Sequence, residues 1–222
     1  MKNNLTEVVF ILDASGSMAG LRSDTVGGVN TVLQQQREQE EGNVLVTTVT
    51  FNTKTRTVHD RIPLCEVADL TNREYIPNGG TALLDAVGET LTHVKKIHHY
   101  IRPEDVPQKT LVVIMTDGHE NSSVTYDYPA VKKLVEERQA AGWEFLFLAA
   151  NIDAAEHSAQ LGIKLGRAVD WVPDKKGQKL AFEGVGRVMH CMRQVADIDA
   201  KIDEELFEVR EDFKKRGEQN EK

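Results

Sequence analysis

Runs of contiguous apolar residues recur along the chain at 8–12, 44–51, 111–115, 143–148 and, more weakly, 168–172. They are rich in Val, Ile, Leu and Phe and do not alternate with polar residues, as expected of strands covered on both faces. The longer segments between them return an apolar residue every three or four positions. Val26, Val29 and Leu33 share one face of a helix predicted over 24–39, as do Leu83, Val87, Leu91 and Val94 over 82–100, and Val131, Leu134 and Val135 over 128–140. Asp153 is placed to N-cap a further short helix. This alternation predicts an α/β fold with a central, mostly parallel sheet and helices on both faces. One strand departs from the rule. Only Asn52-Thr53-Lys54-Thr55 separates 44–51 from the run 56–62, too short for a crossover, so 56–62 should pair antiparallel at an edge. The sheet then has about six strands.

After residue 185 the pattern changes. Val188, Met192, Val195, Ile198, Ile202, Leu206, Val209 and Phe213 follow three- and four-residue steps, which predicts one long amphipathic C-terminal helix. Residues 195–222 hold ten acidic and six basic side chains, so half of the chain's formal charge of -8 sits there. The expected division is a domain over 1–195 and a charged helical extension over 196–222. The apolar stripe has two readings: packing on its own domain, or self-association and partner docking.

Composition narrows the function classes. With 40% hydrophobic and 28% charged residues in 222, the chain reads as one folded domain or one domain with an appendage. Its 35 acidic against 27 basic residues argue against nucleic-acid binding, where phosphate contacts supply most of the affinity. Cys65 and Cys191 stand alone, which disfavours a disulfide framework and suits a reducing compartment. The first apolar run ends at an aspartate, unlike a signal peptide, and no run reaches the ~18 residues of a membrane span. A cytoplasmic protein without membrane contact is expected.

Candidate chemistry gathers where the predicted strands end. In an open α/β sheet, ligands bind where the strand order reverses and neighbouring loops diverge. Val-Val-Phe-Ile-Leu-Asp-Ala-Ser-Gly-Ser-Met supplies Asp13, Ser15 and Ser17; Asn-Gly-Gly-Thr supplies Thr81 ahead of a helix; the strand over 111–115 runs into Thr-Asp-Gly and supplies Asp117. All five offer only oxygen, a set suited to Mg2+, Mn2+ or Ca2+ and less to zinc or copper. Gly16 is expected to permit tight curvature between the serines. Two carboxylates against a dication leave the site near neutral, so an incoming carboxylate meets little repulsion.

These motifs resemble the von Willebrand factor type A (vWA) domain. Asp13-Ala14-Ser15-Gly16-Ser17, Thr81 after Gly79-Gly80, and Asp117 between Thr116 and Gly118 match its three metal-site loops and complete its metal-ion-dependent adhesion site. The resemblance runs from about Glu7 to Val172. It implies a Rossmann-like fold in which the first and fourth strands adjoin. It further implies that Ser15, Ser17 and Thr81 touch a Mg2+ ion, that Asp13 and Asp117 act largely through waters, and that one position stays open for an Asp or Glu of a protein partner. The chain looks more like stand-alone intracellular members from bacteria and their viruses than like secreted adhesion domains.

Two other function classes compete with this non-enzymatic binding module. A metal-assisted phosphohydrolase would use Asp13 as nucleophile but needs a second acid where Ser15 stands. A scaffold or assembly protein would act through the C-terminal helix and keep the metal as a structural element. There is no phosphate loop, dinucleotide fingerprint or nucleophile elbow. His93, His98 and His99 are not four apart, so a solvated helix end is expected of them rather than zinc. His119, Glu120 and Asn121 either line the crevice or lie exposed beside it, and Asp85 either orients a loop or steadies its helix N-terminus.

Overall fold

Strand β1 (Leu5–Asp13) runs through the middle of the sheet, flanked in parallel by β2 (Asn43–Phe51) and β4 (Lys109–Thr116). A computed structural model describes residues 4–39, 42–164, 166–194 and 198–217. Six strands form one sheet in the order β3-β2-β1-β4-β5-β6, where β3 is Thr55–Pro63, β5 Trp143–Ala149 and β6 Ala168–Asp170. All pairings are parallel except β2 with β3, the edge strand anticipated from its short turn. The fold is therefore α/β with a six-stranded, mostly parallel sheet.

Helices cover both faces because successive strand residues point to opposite sides. Val8, Phe10 and Leu12 face a core shared with α1 (Arg22–Arg37) and α5 (Lys175–Gln194). Val9 and Ile11 face the other core, with α2 (Leu83–Tyr100), α3 (Tyr128–Ala140) and α4 (Ala154–Gln160). All five are at most 1% exposed, and each such side chain contributes about 1.5–3 kcal/mol of transfer free energy. Asp153 caps α4 by accepting from Glu156 N at 2.8 Å. Among the described residues no helix is long and apolar enough to cross a membrane.

A long C-terminal helix is present, but its extent differs from the sequence pattern. Helix α5 starts at Lys175 and ends at Gln194, and the chain continues as α6 (Asp199–Glu205) and α7 (Phe207–Arg216). Val195 and the expected boundary at 195/196 lie outside the described residues. Ile198, Ile202, Leu206 and Val209 all join the core on the α1/α5 face. Two short helices folded against α5 need the same one-sided stripe as one straight helix, so periodicity does not reveal where the chain turns. Phe207 points away from that core and is 60% exposed.

The histidine expectation is corrected in part. His99 is exposed and His93 pairs with exposed Asp60, but His98 is held at 2.5 Å by the wholly buried Glu7 carboxylate, which also takes Arg61 at 2.9 Å. A buried carboxylate needs such cationic or donor partners, and that need overrides the solvation of a helix end.

Candidate metal centre

The strand order reverses between β1 and β4: the chain leaves β1 for α1 on one face and β4 for α3 on the other. Their carboxyl ends consequently open the crevice that such sheets use for ligands. Asp13 ends β1, and Asp117 directly follows β4.

Asp13 is wholly buried, and both of its carboxylate oxygens already accept hydrogen bonds. Oδ1 takes Ser15 N at 2.7 Å, and Oδ2 takes the Thr116 hydroxyl at 2.6 Å. The Tyr75 hydroxyl donates to the Asp13 carbonyl. Ser17 Oγ donates to Asp117 Oδ1 at 2.6 Å and lies 3.1 Å from Ser15 Oγ. Four of the five site residues expected from sequence are buried, while Ser17 is exposed and forms the rim.

The third loop is tied to the other two through its backbone. Gly79 O accepts from Gly16 N at 3.0 Å, Ala14 O from Asn78 N at 2.9 Å, and Asn52 O from Ala82 N at 2.7 Å. Asn121 clasps Thr81 from the far side, its Oδ1 accepting Thr81 N at 2.9 Å and its own N donating to Thr81 O at 3.0 Å. The special backbone falls at Gly79, with φ +69, and at Gly80, where a Cβ would come within 2.2 Å of Ser122 Oγ. Gly16, expected to supply curvature, has no positive φ, and a Cβ there would meet nothing nearer than 3.4 Å. The demand moves to Gly79 and Gly80 because that loop must fit between two others.

The Thr81 side chain tests the fit to a metal. Its residue is 3% exposed, and the hydroxyl has no hydrogen-bond partner among the described residues. It lies 4.0 Å from where a Cβ on Gly118 would stand, beside Asp117. Burial raises the Asp13 pKa above the ordinary carboxylate value, with repulsion from Asp117 adding and the bonds from Thr116 and Ser15 opposing. Burial raises Asp117 likewise, against the Ser17 bond. Two carboxylates that resist ionisation and one unmatched hydroxyl fit a divalent cation, whose charge would reverse the pKa shifts. No group of three or more His, Cys, Asp or Glu at metal-binding distance occurs among the described residues, so hydroxyls must complete any such site.

The neighbouring acids support the loops. Both Glu120 oxygens are taken by Leu84 N, Ser122 N, Ser123 N and the Ser123 hydroxyl. His119 is exposed and stacks edge-on with His157 at 5.1 Å. Asp85 accepts the N–H groups of Val124, Thr125 and Tyr126 at 2.7–2.9 Å, and although burial acts to raise its pKa, these bonds hold it below the ordinary value. A lowered folded pKa stabilises the fold above the unfolded value, and the benefit is lost as pH falls through the folded one. Asp85→Asn is expected to cost about 1–3 kcal/mol at pH 7 and less near pH 3, measured by thermal melts at both.

Sequence reasoning missed Tyr75, Thr116 and Asn52, which position the loops through Asp13, Asp13 and Ala82. It also missed Asn151, with φ +59, whose Nδ2 donates to Asp117 O at 3.1 Å.

Solved structures share the fold. The fold is shared with the PilB minor pilin of Streptococcus sanguinis (13% identity, 83% of this chain, 61% of that one, TM-score 0.57). It is shared with the vWF domain of the type V pili tip protein Mfa5 of Porphyromonas gingivalis (11% identity, 88% of this chain, 98% of that one, TM-score 0.61). A third likeness is to proximal thread matrix protein 1 of the mussel byssus with a zinc-occupied MIDAS motif (14% identity, 83% of this chain, 45% of that one, TM-score 0.56). The chain thus spans less than two thirds of the pilin and of the mussel protein. No curated protein matches the sequence. A family model described as VWA domain containing CoxE-like protein matches residues 2–172, and the chain belongs to that family.

Proposed function

We propose that this chain is a non-enzymatic, divalent-metal-dependent protein-binding module, in which Asp13, Ser15, Ser17, Thr81 and Asp117 hold Mg2+ and the metal takes an Asp or Glu of a protein partner. The observation that carries this reading is the Thr81 hydroxyl, which has no hydrogen-bond partner among the described residues and opens to the crevice from a residue only 3% exposed, beside two carboxylates whose pKa values are raised by burial. Ser15, Ser17 and Thr81 would touch the ion, while Asp13, with both oxygens already accepting bonds, would neutralise charge from behind them. The metal supplies a Lewis-acidic position for a carboxylate. The chain fixes the hydroxyls around it and keeps the site close to neutral. Membership in a vWA family points the same way, since vWA domains often serve as metal-dependent adhesion or interaction modules. Cytoplasmic location belongs to this proposal too, as does a C-terminal segment that completes the domain rather than joining two copies.

Combining Ser15→Ala with Ser17→Ala is expected to leave the fold intact, since these hydroxyls sit in a loop outside the core. It should abolish partner capture in Mg2+ to the level seen with chelator. Circular dichroism and an affinity pull-down measure the two halves, and a folded double variant that keeps its partner would sink the proposal. The metal series should include zinc, because the mussel byssus protein that shares this fold has a zinc-occupied MIDAS motif.

A further inference from the structure

Beside the metal loop lies a cleft of about 490 Å³ between the β2–β3 turn and the loop over 71–78, with Ala14 at its inner end. Its chemistry differs from that of the molecule as a whole. The chain carries a formal charge of -8, yet the cleft presents two exposed cations, Lys54 and Arg56, against one acid, Glu74. That acid is engaged: its carboxylate accepts Thr71 N at 2.9 Å and the Thr71 hydroxyl. Arg56 Nη1 reaches the carbonyls of Arg73 and Glu74 at 3.4 and 3.2 Å and so fixes the opposite wall. Lys54 makes no ion pair among the described residues. Ile76, 47% exposed, adds apolar surface.

The cleft is rigidly joined to the metal loop. Asn52 Oδ1 accepts Lys54 N at 3.0 Å, and its Nδ2 donates to Asn78 Oδ1 at 2.8 Å. Thr53 Cγ2 would lie 3.3 Å from a Cβ on Gly79, whose carbonyl bonds to Gly16 between the two metal-site serines. Lys54 is therefore held one residue beyond the wall of the metal crevice.

We propose that this cleft is a second acidic subsite: the partner docks as an extended segment with one carboxylate at the metal and another, two to four residues along, on Lys54. An extended chain advances about 3.3 Å per residue, so this spacing covers roughly 7–13 Å. The inference rests on the metal-dependent reading above and specifies which segments the site selects.

Two synthetic peptides test it in Mg2+ at low ionic strength: one with a single Glu among Gly and Ala, the other with a second Glu three positions later. Backbone-amide NMR titration of the full chain gives both affinities. The two-acid peptide is expected to bind about fivefold tighter, the worth of one or two exposed ion pairs, and to shift the Lys54 amide. Lys54→Ala should bring the peptides to equal affinity, and Lys54→Glu should invert the preference. Equal Mg2+-dependent binding by the unaltered chain, or a preference that survives Lys54→Glu, overturns the subsite alone. Binding of both peptides that ignores chelator, or no binding of either, overturns the metal-dependent reading and the subsite with it.

Discussion

Asp117→Ala is expected to reduce divalent-metal affinity by at least about 100-fold, the upper end of what removing a group around a bound metal costs. Calorimetry on wild type and variant measures it, with one site per chain in the wild type. The size follows from charge, since Asp117 is one of the two carboxylates proposed for the site and its oxygen also fixes the Ser17 hydroxyl at 2.6 Å. The metal-free protein should respond in the opposite direction. Burial raises the folded pKa values of Asp13 and Asp117 above the ordinary 3.8, so the folded state keeps these protons to higher pH than the unfolded chain does. Stability from this pair is greatest below 3.8 and declines as pH rises through the raised values. Removing Asp117 relieves part of that decline. At pH 7 the metal-free variant should melt at or above the wild-type temperature, yet gain nothing from Mg2+. The wild type should gain about 2.7 kcal/mol when Mg2+ stands at 100 times its dissociation constant. Equal metal affinity in the two proteins would rule out this assignment.

Leu206→Ala is expected to cost about 2–5 kcal/mol, the range for truncating a buried leucine without local collapse. For a domain of this size that is a fall in Tm of roughly 4–20 °C. Leu206 has no exposed surface, and its Cδ2 lies 3.1 Å from where a Cβ on Gly184 would stand. The surrounding contacts limit collapse around a cavity. Arg187 donates twice to the Glu205 carbonyl, and Arg216 bridges Asp174 and Asp212, fastening both short helices to α5 and the loop before it. Phe207→Ala, one position away but exposed, should change Tm by less than about 2 °C, because surface changes stay within ~0.5 kcal/mol. Light scattering should show the same mass for both variants and the wild type. A lower mass for Leu206→Ala at unchanged Tm would assign the stripe to another subunit.

The sequence made most of the fold legible, because continuous apolar runs and one-faced helices have different periods. The five oxygen-bearing residues proposed for the metal are each spelled locally, at a strand end or in a loop. What stayed hidden depends on distance in the chain. Nothing near Tyr75 signals that its hydroxyl will meet the Asp13 carbonyl, nor does Asn52 advertise its bond to Ala82. His98 looked like a helix-end residue because Glu7, which captures it, is 91 positions away. The turn after α5 was invisible for a different reason: folded-back and straight helices bury the same stripe.

Asp13 and Thr116 bond across 103 positions, and β1 pairs with β4 in a register that starts at Thr6 opposite Lys109. This pairing sets the order in which a chain acquires competence. A nascent polypeptide holds Asp13, Ser15 and Ser17 early in synthesis but has no Asp117 to face them until β4 has been made and docked. So distant a pairing is among the slower steps of folding, because a large loop must close before any contact rewards it. On the function proposed above, a chain cut short before β4 stays silent, because the carboxylate that must face Asp13 has not yet been made.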